Sequence, residues 1–188
     1  MRDQTGISVM QCKQALEEAN GDTEKAILIL RKKGREVASK KSERSLGSGV
    51  VAAYIHGNGS VGAMVELSCE TDFVAKNEEF QALAYDIAMH VAATNPAFTS
   101  ESDITDEDRE KVKELFVKEV EETDKPRDIK DKMLQGKLDA YFKERTLMPQ
   151  AFVKNPDITV AQLIEGAVQK FGENMEVARF VRFSVSGR

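Results

Sequence analysis

The chain has 188 residues, 41% of them hydrophobic, and a formal net charge of −5, which allows one domain with a substantial core or a small domain beside a larger one. No apolar run approaches the roughly 20 residues that span a bilayer, and Met1-Arg2-Asp3-Gln4 leads into no apolar signal region, so no membrane partner is expected and the cytoplasm is the expected compartment. Cys12 and Cys69 stand in regular elements without metal-ligating neighbours and read as small buried thiols, which argues against a disulfide framework.

The amino-terminal stretch predicts a small helical module. Ser8 and Gln11 have capping-box spacing ahead of a helix that carries Cys12, Ala15, Leu16 and Ala19 on one face, and Asn20-Gly21 ends it. Asp22 is placed to cap a second helix with Ala26, Ile27 and Leu30 at helical spacing, and Gly34 is placed to stop it. From Arg31 to Arg44, seven basic residues face two acidic ones, a local balance of +5. Without interleaved aromatics, in an acidic chain, this run reads as a solvated linker rather than a nucleic-acid surface. The expected division is residues 1–44, a helical module plus basic linker, and residues 45–188, an α+β core.

From Ser45 the period changes to that of strands. Val50, Ala52, Tyr54 and His56 alternate, Gly57-Asn58-Gly59-Ser60 supplies a turn, and Val61, Ala63, Val65, Leu67 and Cys69 alternate again, which is a hairpin signal. Asn77 precedes a helix carrying Phe80, Leu83, Ala84, Ile87, Ala88 and Val91. Thr71 to Lys76 therefore form a connecting loop, and the aromatic Phe73 on it is either tucked back onto the core or held out for a partner.

Three further helices follow, with stripes Val112, Leu115, Phe116, Val120; then Ile129, Met133, Leu138, Tyr141, Phe142; then Val160, Leu163, Ile164, Ala167, Val168, Phe171. All read as core. Asp124-Lys125-Pro126 and Asn155-Pro156-Asp157 break the chain between them. The helix faces between Glu101 and Asp124 carry eleven acidic residues against four basic, most simply a solvated surface. A third strand alternates through Val177, Arg179, Val181, Phe183 and Val185. Because it returns from far along the chain, an antiparallel or mixed three-stranded sheet packed with helices is expected.

No catalytic constellation is present. His56 and His90 have no nucleophile motif to serve, there is no phosphate loop, and no helix follows Gly57-Asn58-Gly59 to make a dinucleotide cradle. Neither a metal site nor a cofactor is expected, and the function is expected to be one of binding.

Three separated segments resemble one family. Glu70-Thr71-Asp72-Phe73-Val74-Ala75-Lys76-Asn77, the stretch Thr5 to Asp22, and Gly172-Glu173-Asn174 with Arg179-Phe180 are similar to the patterns of bacterial elongation factor Ts. The resemblance implies nucleotide exchange on the GTPase elongation factor Tu, with release of GDP and Mg²⁺ and without enzyme chemistry of the chain's own. It implies a three-helix, ubiquitin-associated-like module whose first helix begins upstream of Thr5. Thr71, Asp72, Phe73 and Val74 would form the intruding loop, with Phe73 the wedge and Asp72 holding the loop or a partner group. Met1, Arg2, Val9 and Met10 would lie on the partner's nucleotide domain, although Val9 and Met10 fit a core equally well. A homodimer or 2:2 complex is expected, because longer family members carry two related halves where this chain carries one. The competing reading is an adaptor that binds hydrophobic patches on ribosome-associated proteins through residues 1–44; it leaves the Thr71 loop without a purpose.

Overall fold

In the computed structural model, which describes residues 1–185, side-chain caps fix where the amino-terminal helices start. Helix α1 (Arg2–Thr5) is a single turn that ends at Gly6 in the left-handed region, φ 68°. Ser8 Oγ accepts from the Gln11 N–H at 3.3 Å to open α2 (Val9–Glu18). Asn20 and Gly21 turn the chain with positive φ, and Asp22 accepts from the Lys25 N–H at 3.1 Å to open α3 (Thr23–Lys41). Ile7, Cys12, Ala15, Ala19, Ala26 and Leu30 form the buried cluster of these helices, with Met1, Leu16 and Ile29 packed against it.

Strands β1 (Ser48–His56) and β2 (Val61–Cys69) make the expected hairpin, followed by α4 (Asp72–Ala75) and α5 (Glu78–Thr94). Next come α6 (Asp106–Glu121), α7 (Arg127–Arg145), β3 (Ala151–Phe152), β4 (Asn155–Thr159), α8 (Val160–Phe171) and β5 (Met175–Ser184). The three-stranded sheet has the order β1-β2-β5 and is antiparallel throughout, which makes the fold α+β. Its inner face carries Ala63, Val65, Leu67, Cys69, Met175 and Val177, all buried. Helices α5 and α8 cover that face: inward Tyr54 meets Tyr85 edge-on at 5.6 Å, inward Arg182 donates to the Ala92 carbonyl at 2.9 Å, and α8 packs on β5.

Compactness divides the chain into Met1–Ala93 with Ala151–Arg188, and Thr94–Gln150. Residues 1–44 thus fall in the same unit as the sheet, because α3 lies along α8. Residues 186–188 of the expected core region are outside the described residues.

Three expectations are corrected. Gly34 does not stop α3; it is buried within the helix where α3 meets α8, and a Cβ there would lie 2.9 Å from Gln169 Oε1. The basic run is accordingly helical as far as Lys41 rather than a linker, since contact with α8 stabilises a stretch that charge alone leaves undecided. Asn155-Pro156-Asp157 does separate α7 from α8, as expected, and it does so within β4, which pairs with β3 in a two-stranded sheet where an edge position tolerates proline. The alternation in β5 breaks at a bulge: Leu67 faces Val177 and Glu66 faces Arg179, so Ala178 is unmatched. Val177 therefore points in, whereas Val181 and Phe183 point out.

Within Thr94–Gln150, α6 and α7 pair as a hairpin around Ile104, Val112 and Phe142, supported by Phe98, Phe116, Leu138 and Tyr141. The Arg145 guanidinium sits 4.7 Å from the Tyr141 ring centroid. Thr105 and Asp108 form a reciprocal capping box at the start of α6. Two residues assigned to the core stripes, Leu115 and Ile129, are exposed instead. A two-helix pairing buries a narrower stripe than the periodicity allows. Among the described residues, no helix is long and apolar enough to cross a membrane.

Candidate functional site

The chain leaves β2 at Cys69 and enters a helical turn almost at once. Thr71 is extended (φ −126°, ψ 155°), and its hydroxyl accepts from the Val74 N–H at 3.4 Å, capping α4. The expected loop is therefore a one-turn helix, because the Thr71 cap, with Asp72 in the first turn, starts helical geometry as soon as the strand ends. The geometry separates the four predicted residues. Phe73 is 81% exposed, whereas Val74 is 4% exposed and Ala75 is 8%. Val74 and Ala75 fasten the turn to the domain, with α4 packed against β1 and β2, and Phe73 projects from it. Val74 thus anchors the turn in its own domain.

Polar groups fix the same turn from every side. Asp72 pairs with Lys76 at 2.6 Å, and the Lys76 ammonium holds the Asp72 carboxyl below the usual carboxylate range. The Cys69 thiol donates to the Thr71 carbonyl at 3.2 Å; burial, reinforced by the negative charge of Glu173, pushes that thiol up and keeps it protonated. Glu173 accepts from the Thr71 N–H at 3.0 Å and from its hydroxyl at 2.6 Å. Glu70 accepts from the Asn174 N–H at 2.6 Å and from Arg44 at 3.3 Å, and these donors hold its carboxyl below the usual range. Sequence matching singled out Gly172-Glu173-Asn174 without assigning it a role. No local period points from residue 173 to residue 71.

The second predicted group is arranged differently. Val9 and Met10 are 61% and 65% exposed on the first turn of α2, which removes the alternative that they are core. Arg2 is exposed, while Met1 is half-buried against the cluster of the amino-terminal helices. Leu28 of α3 is also exposed, and sequence reading missed it. Its signal was an apolar residue off the Ala26, Ile27, Leu30 face.

A match to the family described as Elongation factor TS covers residues 12–187. The chain belongs to the elongation factor Ts family. A protein of Carboxydothermus hydrogenoformans with the name elongation factor Ts is 49% identical over 98% of this chain and 85% of its own length. Elongation factor Ts of Thermosipho melanesiensis is 47% identical over 98% of this chain and 94% of its own. That of Geobacter sulfurreducens is 46% identical over 97% and 85% respectively.

The two histidines have structural partners. His56 Nδ1 lies 2.9 Å from the Tyr54 hydroxyl, and buried His90 accepts from the Val153 N–H at 3.3 Å beside the Phe152 ring. Among the described residues, no group of three or more His, Cys, Asp or Glu side chains is placed to hold a metal ion. What the arrangement can do is present an aromatic ring on a stiff mount.

Proposed function

We propose that the Phe73 turn is the working part of this exchange factor, acting on elongation factor Tu in translation elongation. The turn Thr71–Val74 enters the partner beside its nucleotide site, where Phe73 wedges into an apolar gap and the positions of Mg²⁺ and the GDP phosphates are disturbed. The chain makes and breaks no covalent bond of its own. One observation carries this reading: a large apolar ring stands in solvent while the residues that follow it are sealed into the core.

The ring does not act alone. Burying one Phe contributes roughly 1.5–3 kcal/mol, whereas weakening GDP about 10⁴-fold requires on the order of 5.5 kcal/mol of differential binding. Residues 1–44, as a three-helix ubiquitin-associated-like module, supply a second contact through Arg2, Val9 and Met10, with Met1 behind them. Because coupling is reciprocal, the affinity that the factor removes from GDP is removed from the factor by GDP. The adaptor reading is not favoured, since it gives the Phe73 turn no task.

The outward face of the sheet supports a second copy as a further partner. Val51, Ile55, Met64, Val181 and Phe183 are all exposed on it, and an apolar sheet face of this kind is suited to pairing with its like. A strictly monomeric mass by light scattering at micromolar concentration would remove the dimer. Stopped-flow release of a fluorescent GDP analogue tests the wedge: Phe73→Ala is expected to slow release more than tenfold with the fold intact, and an unchanged rate overturns it.

A further inference from the structure

Thr71 has three polar groups, and each is held. Its N–H and hydroxyl both donate to Glu173, 102 positions away, and its carbonyl accepts from Cys69. A threonine hydroxyl has one proton. With that proton on Glu173, the oxygen lone pairs are left to accept the Val74 N–H, so the carboxylate orients the hydroxyl that starts α4. The neighbouring pair repeats the clasp in reverse, with the Glu70 carboxylate taking the Asn174 N–H. The closing turn is itself fixed. Gly172 adopts φ 76°, a conformation suited to glycine, and Lys41 donates to its carbonyl. The Asn174 side chain, 7% exposed, donates to the carbonyls of Ser42 and Arg44 at 3.4 and 3.3 Å.

We propose that Glu173 is a positioning residue for nucleotide exchange: acting through Thr71, it sets the direction in which Phe73 leaves the domain. The proposal rests on the Phe73 reading above. Glu173 touches neither nucleotide nor the ring, and its contribution is to the aim of the wedge. Removing it leaves Val74 and Ala75 buried, so the turn persists but pivots about its apolar anchor. A wedge that must meet a gap in another protein is sensitive to such a pivot, since displacements near 1 Å reduce rates steeply.

The test is GDP release from elongation factor Tu over a range of factor concentrations, with thermal melting alongside. Glu173→Gln, which puts an amide donor in place of one of the two oxygens that accept from Thr71, is expected to lower the maximal release rate about fivefold, with little change in half-saturating concentration or in melting. Thr71→Ser keeps the hydroxyl and should lose less of the maximal rate than Thr71→Val, which removes it. Thr71→Val should cost little more when added to Glu173→Gln, because the two act through one contact. A wild-type maximal rate for Glu173→Gln, or a loss that follows only the folded fraction, overturns the proposal. If Phe73→Ala slows release and Glu173→Gln does not, the latch fails while the wedge stands. A wild-type rate for Phe73→Ala removes both.

Discussion

The Phe73 turn and the α6–α7 hairpin both put apolar side chains into water, by different means. Phe73 projects from a turn tied to residues about a hundred positions away, with the two residues that follow it buried and each polar group of Thr71 held. Leu115 and Ile129 are exposed on helices whose ion pairs, such as Lys111–Glu107 at 2.7 Å and Lys137–Glu119 at 2.7 Å, join near neighbours of the same hairpin. Scattered exposed apolar residues are normal on a protein surface. What sets Phe73 apart is long-range anchoring: fixing a side chain against solvent costs conformational entropy, and nothing within the unit itself recovers that by burying the ring.

The largest effect expected separates stability from activity. Phe142→Ala removes the most buried ring of the hairpin cluster and should destabilise it by about 3–5 kcal/mol, read as a lowered thermal transition. The maximal GDP release rate of the remaining folded protein is expected to stay unchanged, and a proportional fall in that rate would show that the hairpin takes part in exchange. Next, Leu115→Ala should alter release by less than twofold, against the more than tenfold expected for Phe73→Ala. Equal effects from the two would erase the distinction drawn here.

Two glycines sharpen the same contrast. A Cβ on Gly49 of β1 would stand 2.6 Å from the Leu67 carbonyl oxygen, a backbone atom of the strand that carries the turn, so Gly49→Ala should destabilise by about 1–3 kcal/mol. A Cβ on Gly136 of α7 would meet nothing within 4 Å, so Gly136→Ala should stabilise the hairpin by up to about 1 kcal/mol through helix propensity. Denaturant melts read both, and a destabilising Gly136→Ala would contradict the local account of the hairpin.

The smallest effect is one of pH. Glu70 has a folded-state pKa below its ordinary value of 4.5 because the Asn174 N–H, then Arg44, favours the carboxylate. Its contribution is therefore complete above that ordinary value and is lost as pH falls through the lower folded-state pKa. Asp108 is depressed below 3.8 by the Thr105 hydroxyl and N–H, so its cap follows the same sign at lower pH. Glu70→Gln should flatten the upper part of the acid-stability profile, and Asp108→Asn only the lower part. Acid titrations followed by circular dichroism check this, and identical profiles for both variants would contradict it.

Features that depend on neighbouring residues were legible in the sequence. The caps at Ser8 and Asp22, the Gly57–Ser60 hairpin and the inward alternation of β2 all follow from short-range rules, and the structure has them. Features that depend on distant residues were not. Gly34 has the look of a helix stop until α8 lies against it, and the basic run has the look of a linker for the same reason. At the candidate site, the motif disclosed that Phe73 stands where a strand gives way to a helix. It left the ring's direction open, because burial of Val74 and the reach of Glu173 are decided by the sheet and by a turn at the far end of the chain.

Ala178 gives β5 a change of parity halfway along its length. Upstream of it Met175 and Val177 face the helices; downstream, Phe180, Arg182 and Ser184 take the inner side, opposite Val65, Ala63 and Val61. A regular ladder that kept Ala178 and set it opposite Glu66 would swap the two sides of the downstream half, sending Phe183 and Val181 inward and turning the Arg182 guanidinium away from the end of α5. One unpaired alanine thus decides which half of the last strand is greasy to the outside world.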